Sequence, residues 1–141
     1  MKLKSLIFTT LFLCIGLVSK AQTKGDAILG EWLSQEKDGK ILVYKQGEKF
    51  FGKISWGKST GRKDDKNPDP ALKSRDLIGA VILKDFVFDG ENSWKEGTIY
   101  DPNSGKTYSC KMKLDSPTAL NIRGYIGLSL FGRTSIWTKA K

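Results

Sequence analysis

Between residues 106 and 114 the chain alternates. Tyr108, Cys110, Met112 and Leu114 fall on one side, and Thr107, Ser109, Lys111 and Lys113 on the other. A period of two with one apolar face predicts a strand buried on one side and wet on the other. Residues 49–56 repeat the pattern more weakly: Phe50, Ile54 and Trp56 share a face with Gly52, opposite Phe51, Lys53 and Ser55. Further strand-like stretches cover residues 28–34, 40–46, 78–88, 93–100, 119–125 and 132–139. Asp38-Gly39, Gln46-Gly47-Glu48, Asp89-Gly90, Asp101-Pro102-Asn103-Ser104-Gly105 and Asp115-Ser116-Pro117 divide them. Gly takes positive φ cheaply, Pro fixes φ and Asp closes local hydrogen bonds, so these segments predict turns. No segment carries a sustained helical period. The best helical candidate is a turn or two after Asp69-Pro70, with Asp as cap and Pro at the first helical position.

Short links make strands adjacent in sequence adjacent in space, which predicts an all-β, antiparallel, up-and-down meander. About eight strands in a domain of this size predict a small closed barrel, since closure removes aggregation-prone edges. An eight-strand barrel is filled by side chains or holds one small ligand. A two-sheet sandwich is the alternative architecture.

The N-terminal segment breaks this pattern. Lys2 and Lys4 precede a mostly apolar, uncharged run over residues 6–18, and Ser19 and Ala21 place small residues at −3 and −1 of a cut before Gln22. That layout predicts a secretory signal peptide over residues 1–21 and a single barrel domain over residues 22–141. The run is shorter than the roughly 20 apolar residues a spanning helix needs, so no membrane span is expected after cleavage. Cys14 lies mid-run and lacks a small residue before it, which argues against lipidation. The expected destination is exported, periplasmic or secreted. Cleavage would remove three lysines and one cysteine, leaving a charge of about +6 instead of +9 and Cys110 as the lone thiol. One thiol makes no internal disulfide, so stability must come from the core.

The chain has no His. That excludes Ser-His-Asp and Cys-His hydrolases and any zinc site needing imidazole. Asp64, Asp65, Asp69 and Asp101 are available for acid/base work, but Asp is common in turns for structural reasons. The expectation is a protein that is not an enzyme, with no cofactor and no metal. Asp65-x-Asn67-x-Asp69 alternates oxygen ligands as a calcium loop does, yet Pro70 stands where such a loop needs Gly and Asp76 where it needs Glu. Residues 57–76 read instead as a rigid, solvated loop folded over one barrel mouth. Cys110, on the apolar face, reads as an inert buried thiol. The basic residues are scattered among acids with no Lys/Arg run longer than two, so no nucleic-acid partner is expected. The stretch from Arg123 to Arg133 is rich in Gly and apolar residues. It reads as a tightly bent closing hairpin, or as an apolar contact patch.

Gly30-Glu31-Trp32 opens the first strand, and a basic residue, Arg133 or Lys139, lies near the end of the last. This resembles the lipocalin and calycin signature, in which the Trp closes one barrel end and a late basic residue packs across it. Asn67-Pro68-Asp69-Pro70-Ala71-Leu72 through Ile78-Gly79 carries a closer likeness. So do Trp94 to Pro102, Gly105-Lys106-Thr107-Tyr108, Arg123-Gly124-Tyr125-Ile126-Gly127, and Phe131-Gly132-Arg133-Thr134 to Trp137. Together they resemble the bacterial exported family called domain of unknown function 2147, from about residue 28 to 139. Asp76 departs from the pattern, where Pro is commoner. The resemblance implies a lipocalin-like barrel and bacterial export, with no established activity or ligand.

The resulting expectation is a small exported β-barrel binding a small, largely apolar ligand. Trp32, Phe50, Trp56, Tyr100, Tyr108, Arg123 and Tyr125 are the candidate ligand-binding residues. The alternative is an envelope or surface interaction protein with a filled barrel, contacting a protein or polymer through its loops.

Overall fold

A computed structural model describes residues 23–141; the expected signal peptide lies outside the described residues. Eight strands follow in order: β1 (Gly30–Leu33), β2 (Gly39–Gln46), β3 (Lys49–Gly57), β4 (Val81–Phe88), β5 (Ser93–Asp101), β6 (Lys106–Ser116), β7 (Ala119–Tyr125) and β8 (Gly132–Lys139). Each is antiparallel to the next, and β8 returns to β1 to close the barrel. The closing seam is short, with Trp32 opposite Lys139 and Leu33 opposite Thr138.

Most boundaries fall within one residue of the sequence expectation; β6 runs two residues further, to Ser116, and β1 and β4 start later. Residues 24–28 wind into a short 3-10 helix, so β1 starts at Gly30. Residues 78–80 turn before β4 rather than opening it: Gly79 takes φ +91°, and its N–H donates to the Ile54 carbonyl at 2.7 Å. After Asp69 the expected helical turn forms over Pro70–Leu72, with the Asp69 carboxylate accepting from the Ala71 N–H.

The first helical turn plugs one barrel end. Ile28 is buried there, and its carbonyl accepts a 2.8 Å hydrogen bond from Trp32 Nε1. Lys139 Nζ sits 4.7 Å from the Trp32 ring centroid and donates to the Leu29 carbonyl at 2.6 Å. Lys139, not Arg133, is therefore the late basic residue that packs across the Trp, a cation–π contact. Burial pulls its pKa below the ordinary lysine value. Beneath this cap Phe50, Trp94 and Phe88 pack together, with ring centroids 6.3 Å and 5.1 Å apart. Met112, Cys110, Leu120 and Phe86 complete the core.

Glycine makes room for this packing at two strand positions. A Cβ on Gly97 would lie 2.5 Å from the Phe86 ring, and one on Gly52 would lie 2.7 Å from Leu83. Next to Gly97, Glu96 takes φ +64°, and the β5–β6 register shifts between Trp94 and Gly97. Such bulges add the local coiling that a narrow barrel needs.

Candidate functional site

The opposite end is open. Its rim is built from the end of β1 and the start of β2, the ends of β3, β5 and β7, and the starts of β6 and β8. A cavity of about 800 Å³ opens there. Ile82, Ile99, Ile122 and Trp137 form its apolar wall, and Tyr108, Ser135 and Arg133 bring polar atoms to it. A side arm of about 170 Å³, between Ile41, Ile54, Trp56, Leu77 and Ile78, shares Ser34, Asp38, Ile82, Pro102 and Asn103 with it. The register explains why Arg133 faces this space. It stands opposite Gly124 on β7, which in turn stands opposite the buried Cys110 on β6. Gly124 has no side chain, which leaves the space beside Ile99 and Tyr108 open.

The loop of residues 58–80 folds against the β5–β6 turn at this end. Asp64 organises it. Its carboxylate is wholly buried and accepts from Tyr100 Oη at 2.6 Å, Asn67 Nδ2 at 2.8 Å and Arg75 Nε at 2.8 Å. Burial alone would raise the Asp64 pKa, but the three donors and the Arg75 charge outweigh it and hold the carboxyl below its ordinary value. Tyr100 is pushed the other way, to about 12, by burial and by donating its hydroxyl to the negatively charged Asp64 carboxylate. Arg62 Nη2 donates to Asn103 Oδ1 at 3.0 Å and ties the loop to the rim. The remaining acids serve the loop itself. Asn67 Oδ1 accepts from the Asp69 N–H, and Asp69 caps its helical turn. Among the described residues no group of three or more His, Cys, Asp or Glu is placed to hold a metal ion, and Asp64, Asp65, Asp69 and Asp101 do not converge on a cleft.

Residues 30–139 match the family described as "Uncharacterized protein conserved in bacteria (DUF2147)". The chain belongs to that family. Among solved structures it is similar to "Protein HP1028 from the human pathogen Helicobacter pylori", described as belonging to the lipocalin family. The identity is 27%, the TM-score 0.76, and the match covers 80% of this chain and 82% of that one. No curated protein matches the chain. This DUF2147 chain is thus a lipocalin-like barrel with one plugged end and one open end.

The residues singled out from sequence divide between the two ends. Tyr100, Tyr108 and Tyr125 border the large cavity and Trp56 its side arm. Trp32 and Phe50 sit in the closed half, where both are buried in the packed core. Arg123 is engaged elsewhere: its guanidinium donates to the Ser129 and Leu130 carbonyls and to Thr134 Oγ1, holding the β7–β8 turn. Trp56 does not share a face with Phe50 and Ile54. Ile41 pairs with Ile54 while Lys40 pairs with Trp56, so Ser55 is an extra residue that turns Trp56 outward. There it lies 42% exposed beneath Lys40 Nζ, 5.6 Å from its ring centroid. The alternation had no means of marking Arg133, Ser135 and Trp137 as cavity residues until the β7–β8 register was known. Cys110 is fully buried, and burial pushes its thiol up to about 12, well away from a reactive thiolate.

Proposed function

We propose that this DUF2147 protein is a binding protein, not an enzyme, and that it holds one small, largely apolar ligand in the open half of its barrel. The observation that carries this reading is the cavity of about 800 Å³, whose wall of Ile82, Ile99, Ile122 and Trp137 lies below a polar rim. Ligand sites are typically about 300–1,000 Å³, lined by apolar and aromatic side chains with a few polar anchors. Tyr108 and Arg133 are among the polar groups that could anchor the ligand. The same reading places the protein outside the cytoplasm, delivered by residues 1–21. N-terminal sequencing of protein recovered from its host would then begin at Gln22.

Titration with the apolar dye N-phenyl-1-naphthylamine tests the binding. We expect saturable, single-site uptake. The Gly124→Leu variant fills the cavity from a position whose Cβ meets only ordinary contacts, 3.4 Å from Ile99 and 3.7 Å from Tyr108. It should fold with an unchanged melting temperature and weaken dye binding about tenfold or more, a loss of about 1.4 kcal/mol or more. Uptake that does not saturate, or that survives Gly124→Leu unchanged, would overturn the proposal. Native mass spectrometry of protein from its own host identifies the ligand class.

A further inference from the structure

We infer that the turn between β7 and β8 is a membrane-docking element, which seats the open end of the barrel on an anionic lipid surface. Four large apolar side chains crowd six consecutive positions: Ile126, Leu128, Leu130 and Phe131 are 72%, 68%, 77% and 69% exposed. Singly exposed apolar residues need no explanation, but a contiguous apolar tip does. It is not a loose end. Arg123 fastens it through the Ser129 and Leu130 carbonyls, and Lys111 Nζ donates to Ser129 Oγ at 3.3 Å. Those same bonds bring cations to the base of the tip. Lys111, Arg123 and Arg133 flank it, and none of them forms an ion pair among the described residues.

The charge around the tip is one-sided. From Ser116 to Lys141 the chain holds no Asp or Glu. The acids at the mouth, Glu36, Asp38 and Asp101, belong to the β1–β2 and β5–β6 turns. Asp38 and Asp101 are occupied there, accepting from Ser34 Oγ and from the Asn103 N–H. Apolar groups to enter the acyl boundary, with cations behind them to meet anionic headgroups, are the two signals that reversible membrane binding requires. Trp56 and Ile78, exposed on the rim of the side arm, extend the apolar border around the same opening. A protein partner would equally cover apolar side chains, but the cations at the base of the tip, on a stretch of chain from 116 to 141 that carries no Asp or Glu, favour a lipid surface, with the acids confined to the other turns of the mouth. The inference concerns the outer tip and does not require an occupied cavity.

The test uses the chain starting at Gln22, because every strand and the plugging turn lie within residues 23–141, and because the apolar run of residues 6–18 would bind lipid by itself. Co-sedimentation is measured with vesicles of phosphatidylcholine alone and with one-third phosphatidylglycerol. We expect binding to the anionic vesicles that weakens with salt, and at least a tenfold loss for Leu128→Asp/Leu130→Asp, neither of which lines the cavity, with an unchanged melting temperature. A second measurement places a nitrobenzoxadiazole dye on Leu130→Cys; Cys110 is buried and escapes labelling. Its emission should shift to the blue on adding anionic vesicles. Binding that the double variant retains would assign the attraction to general basic charge and overturn the proposal. So would the absence of binding to either vesicle, which would leave the tip to a protein partner or a second copy. Dye uptake by the cavity, measured on the same double variant, is expected to stay unchanged.

Discussion

Gly97 and Phe86 show how one missing methyl group decides packing. The Phe86 ring occupies the space in which a Cβ on Gly97 would sit, and Phe86 is fully buried with no room to retreat. Gly97→Ala is expected to cost about 1–3 kcal/mol by overpacking, read as a lower urea midpoint with an unchanged slope. Gly47→Ala provides the contrast: nothing lies within 4 Å of its Cβ, and its cost is set by its positive φ alone. Asp64 decides the loop in a comparable way. Its folded pKa is lowered, so its stabilisation is present above the unfolded carboxylate pKa and is lost as pH falls through the lower folded value. Tyr100 is raised to about 12, so its contribution is complete below about 10 and is lost as pH climbs from there towards 12. Asp64→Asn should therefore cost about 2–3 kcal/mol at neutral pH and flatten the acid arm of the stability curve. Tyr100→Phe should instead flatten the alkaline arm. Chemical denaturation across pH reads both, and variants that keep the wild-type pH profile would deny the triad of Tyr100, Asp64 and Arg75 its role.

At the level of elements, the strands were largely legible because each alternating run is bounded by residues that make turns for a stated reason. β7 and β8 span the residues their patterns indicate, 119–125 and 132–139, and the Asp69-Pro70 cap forms as its chemistry requires. A bulge inserts one residue and reverses the sidedness of everything beyond it, and a period of two carries no mark of where that happens. Trp56 is turned outward for this reason. Asp64 was invisible as an organiser because its partners, Tyr100 and Arg75, stand 36 and 11 residues away. Arg123 is a different case: an Arg beside a Gly-rich hairpin reads equally as a ligand anchor or as a carbonyl clamp, and the backbone path gives its guanidinium the Ser129 and Leu130 carbonyls. The plugging turn of residues 24–28 sat before the first strand without a helical period, because one turn is too short to show one.

For the whole molecule, stability and binding are placed at opposite ends. The plugged half holds the aromatic core and the Trp32–Lys139 contact, while the open half surrounds the cavity, with isoleucines on its inner wall and polar side chains at its rim. Changes at the mouth are thus free of the core, which is why Gly124→Leu is expected to alter binding without altering the melt. Among the described residues no helix is long and apolar enough to cross a membrane, and the contact inferred for the β7–β8 tip is with a surface. The seam between β1 and β8 has a further consequence. Two residue pairs join these strands, against the long ladders that join β5 to β6 and β6 to β7. A ring of unequal links parts first at its weakest one, so the barrel has a built-in place to unzip. Native-state amide exchange should find the protons bridging β1 and β8 trading with solvent well before those bridging β5 and β6, and equal protection around the ring would show that it opens only all at once. A barrel that parts along its flank has two entrances, one at the mouth and one through the wall.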